Sequence, residues 1–482
     1  MRKFFILTIL LISHIVTTAS PKYEMRAVWL TTNWGLDWPS SPASNSKEIA
    51  RQQADMRAIL DEVSSLGFNT VFFQARTRGE VFYDSDIEPW SPIVSGKAGI
   101  SPGYDPLAFV VEECHRRGLE CHAWIVSIPT GSQRQAERHG SKATPARHPG
   151  MCVKLKKEWY LDPGNPATAT HLASIAKEIA TKYDIDGIHL DYIRYPSEHG
   201  RFPDSKSYAK YGNGLSLEEW RMSNITHIVH TVSAAVKAVD SRIMVSTAPL
   251  GRYEVLEGLS SSDWVCTGSA RQDVLKWLTE GDNDFIAPMM YYQQLNFFPY
   301  LTDWVQRIGN NGYIVAGLGA YRMDKREGNW TFEEFKEQVV ATRTHGTHGQ
   351  AFFRMQHLRQ FPLLAQFLAD DFYRHPALIP PMHHITAPTL EPVSTLRLSQ
   401  GIDADTLQWQ AVDGAVRYAV YASATDSVDT TTPTQLIHTW VADTTLIIPH
   451  AQYRTLAVTA IDAYRRETAP TYISTPLQGG QF

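Results

Sequence analysis

The sequence predicts an α/β protein, a (β/α)8 TIM-type barrel followed by a small all-β sandwich. Three observations carry this reading. Eight short apolar runs alternate with amphipathic stretches over roughly the first three quarters of the chain. The runs are apolar on both faces, as parallel strands covered by helices are. Beyond a proline-rich stretch at 376–392, the pattern changes to seven short alternating runs in about 90 residues, the rhythm of an antiparallel sandwich. The expected boundaries are a leader at 1–19, the barrel at 20–375, a semi-rigid linker at 376–392 and the sandwich at 393–482.

In chain order, Met1-Arg2-Lys3 precedes an apolar run at 4–16 and the small residues Thr17-Thr18-Ala19. This is the pattern of a secretory signal peptide cut after Ala19, and it places the mature chain in the periplasm or outside the cell. No later apolar run reaches the ~18 residues of a membrane span. Barrel strands are expected at 26–31, 70–76, 120–127, 187–192, 242–249, 284–292, 313–319 and 350–355. Helices are expected at 46–66, stopping at Gly67, at 106–117, stopping at Gly118, at 167–182 and at 217–239. A doubly wound sheet is the competing architecture, but it places a glycine-rich phosphate loop after its first strand. Here that strand leads into TTNWGLDWP, with no GxGxxG. The sandwich strands are expected at 395–399, 406–410, 417–422, 435–441, 445–449, 454–461 and 471–475, with Trp409 in the core.

The net charge of −5 offers no basic field for nucleic acid. Cys114, Cys121, Cys152 and Cys266 show no CxxC pairing, which argues against a structural zinc site. Buried thiols and one disulfide both remain open. No GxSxG elbow is present.

In a (β/α)8 barrel the C-terminal strand ends carry the chemistry. Collected at that mouth are Trp29, Gln74, Arg76, His122, Trp124, His189, Asp191, Tyr192, Arg194 and Tyr291. Flat rings and hydrogen-bonding groups in this mixture match a sugar, which offers hydroxyls and apolar ring faces. The centre of the mouth is YDIDGIHLDYIRYP, which puts Asp191 at the end of a buried strand among aromatics and Arg194. Hydrolysis of a glycosidic bond needs two carboxyl groups. Asp191 is the first, as nucleophile or base. For the general acid Asp273 ranks ahead of Glu80 and Glu254. The competing readings are a helix cap for Asp273, pairing with the arginines of RTRGE for Glu80, and solvated surface for Glu254. His189 and Asp191 share a strand face, so metal ligation is considered. With no HExxH or clustered His/Asp pattern, no metal and no cofactor is expected, and His189 is assigned to hydrogen-bond Asp191 or the substrate.

The ordered set EMRAVWLTT, FNTVFFQAR with GEVFYDSDIEPWS, YDPLAFVVEECHRRGLECHAW, WYLDPGNP, DGIHLDYIRYP, ARQDVLKWL and DFIAPMMYY resembles the bacterial glycosyl-hydrolase-like family ten over roughly residues 22–375. The resemblance implies a secreted or envelope (β/α)8 hydrolase, often followed by a fibronectin-like domain. It also implies, as a substrate, peptidoglycan glycan strands that have lost their stem peptides. Its acidic positions fall on Glu24, Glu80, Asp191 and Asp273. Three places depart from the family pattern. A single Asp191 precedes Tyr192 where two acids are common, Trp124 is followed by IVSIP rather than NPYR, and Trp220-Arg221 is followed by MSN.

LQWQAVDGAVRYAVYASA resembles a fibronectin type III domain, in which such a Trp and a following YxVY strand form the core. The expectation is therefore a secreted glycoside hydrolase, with Glu24 joining the substrate-binding set. Two rivals stand beside it: a carbohydrate-binding protein on a degenerate barrel, and a metal-dependent carbohydrate hydrolase or deacetylase.

Overall fold

The structure is a computed structural model that describes residues 20–196, 202–259, 262–382, 385–450 and 452–474. The expected leader at 1–19 lies outside the described residues. Eight parallel strands form the barrel: β1 (Met25–Leu30), β2 (Thr70–Thr77), β3 (Glu120–Val126), β4 (Gly187–Asp191), β5 (Met244–Thr247), β6 (Phe285–Ile286), β7 (Tyr313–Leu318) and β8 (Gly349–Phe352). They pair in chain order. β1 hydrogen-bonds to β2 on one side and β8 on the other, so the sheet closes. Closure removes both edges and gives the molecule two ends, a floor of strand N-termini and a mouth of strand C-termini.

The helices start where capping residues stand. Asn45 accepts from Glu48 N–H at the head of α1 (Ser46–Ser65), and Asp105 from Ala108 N–H at α2 (Pro106–His115). Asn165 caps α3 (Pro166–Lys182), and a Ser216/Glu219 capping box opens α4 (Leu217–Val239). Gly67 follows α1 at φ 83°, and a Cβ there would stand 2.7 Å from Tyr373 Cβ, so the turn into β2 admits little but glycine. α5 (Val274–Thr279) follows β5, α6 (Gln294–Ile308) follows β6 and α7 (Phe332–Thr344) follows β7.

The run expected to be one strand at 284–292 is strand only at Phe285–Ile286, with an isolated bridge at Met289. Pro288 has no N–H for the ladder, and the chain turns out toward the mouth there. The interior is aromatic: Trp29, Phe72, Trp124 and Phe285 are all buried. The His189 ring stacks on Phe72 at 4.2 Å. Gly187 leaves room for the His122 ring, since a Cβ would lie 2.2 Å from its Nδ1. All four cysteines are buried and free, which resolves the open choice in favour of thiols.

The C-terminal strands are β9 (Ser394–Ser399), β10 (Ala404–Gln410), β11 (Ala415–Ser423), β12 (Leu436–Val441), β13 (Thr445–Pro449), β14 (Thr455–Asp462) and β15 (Thr471–Ser474). They form two antiparallel sheets, β9-β10-β13 and β12-β11-β14-β15. Trp409 lies between them, edge-on to Tyr418 at 5.2 Å, as expected of a core residue.

The β-sandwich closes the barrel floor. Arg465, in a left-handed turn at φ 67°, donates Nε and Nη2 to Glu120 at the start of β3 (2.6 and 3.0 Å) and reaches the carbonyls of Asp186 and Arg242. Arg417 adds a contact to Glu120 at 3.3 Å. Ile379 and Met382, in the proline-rich connection, pack into the same apolar floor.

Candidate active site

Asp191 is the last residue of β4 and is buried among the groups at the mouth. Its Oδ2 accepts from Trp124 Nε1 at 3.2 Å, and its Oδ1 from Tyr192 N–H at 2.6 Å. Arg194 Nη1 stands 3.7 Å away. Tyr192 takes the left-handed conformation, φ 50°, which costs a non-glycine residue about 1–2 kcal/mol. The hydrogen bond to Asp191 and the Arg194 guanidinium lying 4.3 Å over the Tyr192 ring hold it there. This kink ends the strand and turns Tyr192 outward, while the carboxyl beside it stays buried. Burial pushes the Asp191 carboxyl up from its ordinary value, and Arg194, the Tyr192 N–H and Trp124 only partly offset it. A group so placed accepts a proton more readily than an exposed Asp.

The mouth encloses a cavity of about 430 Å³. Trp29, Trp124, Trp264, Tyr291, Tyr321 and Phe353 supply its flat walls. Asp191 is the one carboxylate among its described lining residues, against three guanidinium groups, Arg78, Arg194 and Arg322. Gln74 lines it too. Its Oε1 accepts from Thr32 N–H (3.0 Å) and Asn33 N–H (2.8 Å), which fixes the loop after β1. Gln272, in the run ARQD, takes a similar part. Its Oε1 accepts from Leu250 N–H, and its Nε2 donates to the Ile193 carbonyl, tying the β5 and β4 loops together.

Of the residues expected at the mouth, the structure brings Trp29, Gln74, Trp124, Asp191, Tyr192, Arg194 and Tyr291 together around this cavity. Others lie elsewhere. His189 is one pleat deeper and fully buried, and its partners are Trp29 Nε1 (3.2 Å) and Ser246 Oγ (2.8 Å) rather than Asp191. Trp N–H only donates, so His189 Nε2 accepts, the proton sits on Nδ1 and the ring is neutral. Burial, with His122 nearby, holds its pKa well below the ordinary value, in agreement. His122 is deeper still, 3.3 Å from Glu120. Arg76 is buried in a two-pronged pair with Glu88 (2.6 and 2.8 Å). Glu24 lies at the floor, bonded by Arg26, Arg343 and Gln350.

None of the three candidates for the second carboxyl lines the mouth itself, and Glu254 pairs with Arg307 at 3.1 Å. Glu80 is buried, accepts from Ser91 Oγ and lies 2.9 Å from His139 Nε2. It borders an adjoining cavity of about 350 Å³ that shares Asn33, Thr77 and Arg78 with the mouth. Asp273 precedes α5, yet its side chain makes no cap hydrogen bond, so the capping role weighed for it is not the one it plays. Sequence reasoning missed Arg78, Trp264 and Phe353. Arg78 and Trp264 stand in loops past the strand ends, where no periodicity marks them, and Phe353 directly follows β8 inside the strand expected at 350–355. Among the described residues, no three His, Cys, Asp or Glu side chains converge to hold a metal ion.

A family model described as Glycosyl hydrolase-like 10 matches residues 24–315. The chain is 30% identical over 391 residues to "Glycosyl hydrolase YngK" of Bacillus subtilis (strain 168), covering 76% of this chain and 75% of that protein. It is 33% identical over 300 residues to "Glycosyl hydrolase DigH" of Escherichia coli (strain K12), covering 57% of this chain and 67% of that protein. Among solved structures, it resembles the PgaB (BpsB) glycoside hydrolase domain from Bordetella bronchiseptica at 17% identity and a TM-score of 0.48, over 72% of this chain and 99% of that one. The closed barrel, its aromatic mouth around Asp191 and the match over most of the barrel agree: this chain belongs to the glycosyl hydrolase-like 10 family and is a glycoside hydrolase.

Proposed function

We propose that this enzyme is exported and cleaves glycosidic bonds in peptidoglycan glycan strands that lack stem peptides. The observation that carries the proposal is the Asp191 carboxyl, buried at the end of β4 under aromatic walls and shifted toward the basic side. In a two-carboxylate mechanism Asp191 attacks the anomeric carbon or takes a proton from the attacking water. The bond from that carbon to the leaving oxygen breaks, and the second carboxyl gives its proton to that oxygen. Asp273 and Glu80 are the two candidates for this acid. Glu80 gains support from its place on the adjoining cavity, and Asp273 from its place next to Gln272, which donates to the Ile193 carbonyl just past β4. Tyr192, Trp264 and Tyr321 offer ring faces to the sugars.

The leader sequence supports export. The three-plus-four antiparallel arrangement with Trp409 against Tyr418 supports a fibronectin III-like sandwich, acting here as a brace for the barrel floor. The test is digestion of purified peptidoglycan, whole and amidase-stripped, read by mass spectrometry. Sugar oligomers from the stripped material, lost in Asp191→Asn, are the expected result. Activity surviving that substitution removes Asp191 from the mechanism.

A further inference from the structure

We propose that the mouth recognises a carboxylate carried by the glycan, with Arg78 as the residue that reads it and Arg194 beside it. The inference rests on the reading above and names the chemical feature that selects the substrate.

The charge at the mouth is unbalanced. Three arginines line the cavity against one acidic residue, Asp191, among the described lining residues. Arg194 is 9% exposed, and its Nη1 has no hydrogen-bond partner among the described residues. The Nε of Arg322 is likewise buried and unpartnered there. Arg78 pairs with Glu158 only loosely, at 3.5 Å, with both side chains about one third exposed. A buried N–H without an acceptor is unfavourable, and an anion bound at the mouth supplies one. The planar guanidinium fork fits a carboxylate with two parallel hydrogen bonds.

Arg78 also has a position that no other cation of the mouth shares. It lines the 430 Å³ mouth, the 350 Å³ cavity beside Glu80 and a third cavity of about 170 Å³ that contains Glu158 and Tyr160. A chain leaving the mouth toward either neighbour passes Arg78. On the Glu80 side the lining continues with Arg134 and Arg138, which with Arg78 outnumber the carboxylates Glu80 and Glu158, beside the exposed ring of Trp34. That is a path for an extended glycan with recurring negative charge and flat sugar faces.

In peptidoglycan the lactyl carboxyl of muramic acid is tied up as a neutral amide while the stem peptide is attached. Removal of the peptide exposes a carboxylate. Recognition by Arg78 then accounts for a preference for stripped strands without any site that excludes peptide by size.

The experiment uses the purified full chain and three oligosaccharide sets of equal length: peptide-free strands with free lactyl carboxylates, the same strands with those carboxyls converted chemically to primary amides, and neutral chitin oligomers. Cleavage is followed by mass spectrometry and binding by calorimetry. The wild type is expected to prefer the free acid over its amide by about ten- to a hundredfold in kcat/KM, the range of one charge-assisted hydrogen-bonded contact. In Arg78→Gln that ratio is expected to fall toward one, through KM, and Arg78→Lys is expected to restore part of it. Equal kcat/KM on acid and amide by the wild type, or an unchanged ratio in Arg78→Gln, overturns the proposal. If none of the three sets is cleaved, the functional reading fails. The calorimetric acid-to-amide ratio then decides the inference alone: a preference lost in Arg78→Gln supports it, and no preference overturns it.

Discussion

At the floor of the barrel Glu120 lies under Arg465 and Arg417, and Glu24 under Arg26 and Arg343. Burial pushes both carboxyls up, but the neighbouring guanidinium groups outweigh it and hold both below the ordinary glutamate value. At the mouth, one barrel height away, Asp191 is buried as deeply. Its nearest cation stands 3.7 Å off, and burial wins, so its carboxyl is shifted up. The two ends are thus built from the same residue types with opposite balances. At the floor two guanidinium groups hold each carboxylate, and those on Glu120 come from the sandwich, which makes the floor a joint between the two. At the mouth a single guanidinium stands 3.7 Å from Asp191, which leaves that carboxylate the more basic of the two kinds.

The contrast is broken most severely by Asp191→Asn. The substitution removes the carboxylate proposed to react, and kcat/KM on stripped glycan is expected to fall by roughly a thousandfold or more. Stability should not suffer. Asp191 has a raised folded pKa, so its stabilising contribution is present below the unfolded value of about 3.9 and lost as pH rises through the folded value. At neutral pH its charge is a cost, and the neutral amide should melt at the same temperature or higher. A clear drop in melting temperature would assign Asp191 to structure.

The floor predicts the reverse. Glu120→Gln strands Arg465 and Arg417 in a buried site, and a loss of about 3–5 kcal/mol of unfolding free energy is expected, measured by denaturant titration. Glu24→Gln is expected to act alike, with glycan affinity unchanged. Weaker glycan binding at full stability would return Glu24 to the substrate set that the sequence suggested. Acid should loosen the floor first. Glu24 and Glu120 have lowered folded pKa values, so their contribution is present above the unfolded value of about 4.3 and lost as pH falls below it.

How much of this was legible in the sequence follows from what each signal encodes. α4 is found at its expected bounds because the Ser216/Glu219 box marks its start. Asp191 was legible because a carboxylate closing a buried apolar run has few roles. His189, His122 and Arg76 were placed at the mouth because strand alternation reports a face and says nothing of depth along it. Glu24 precedes β1, so chain direction alone assigns it to the floor, and the family resemblance had outweighed that. Arg78 and Trp264 belong to loops, where neither period nor capping signal operates. Pro288 was the visible warning against a nine-residue sixth strand.

Trp124→Phe keeps the ring and removes the donor to Asp191. The Asp191 pKa should rise further, moving the acidic limb of the kcat/KM profile to higher pH with less than about a tenfold loss at its optimum. An unmoved limb would mean that Asp191 does not set the profile.

The most direct measurement is the titration of the Asp191 carboxyl itself, by carbon-detected NMR of side-chain carboxylates in the wild-type protein, assigned by difference from Asp191→Asn. The Asp191 midpoint is expected above about 3.9, and those of Glu24 and Glu120 below about 4.3. An Asp191 midpoint at or below the ordinary value would contradict it, because the two ends of the barrel would then hold their carboxylates in the same state.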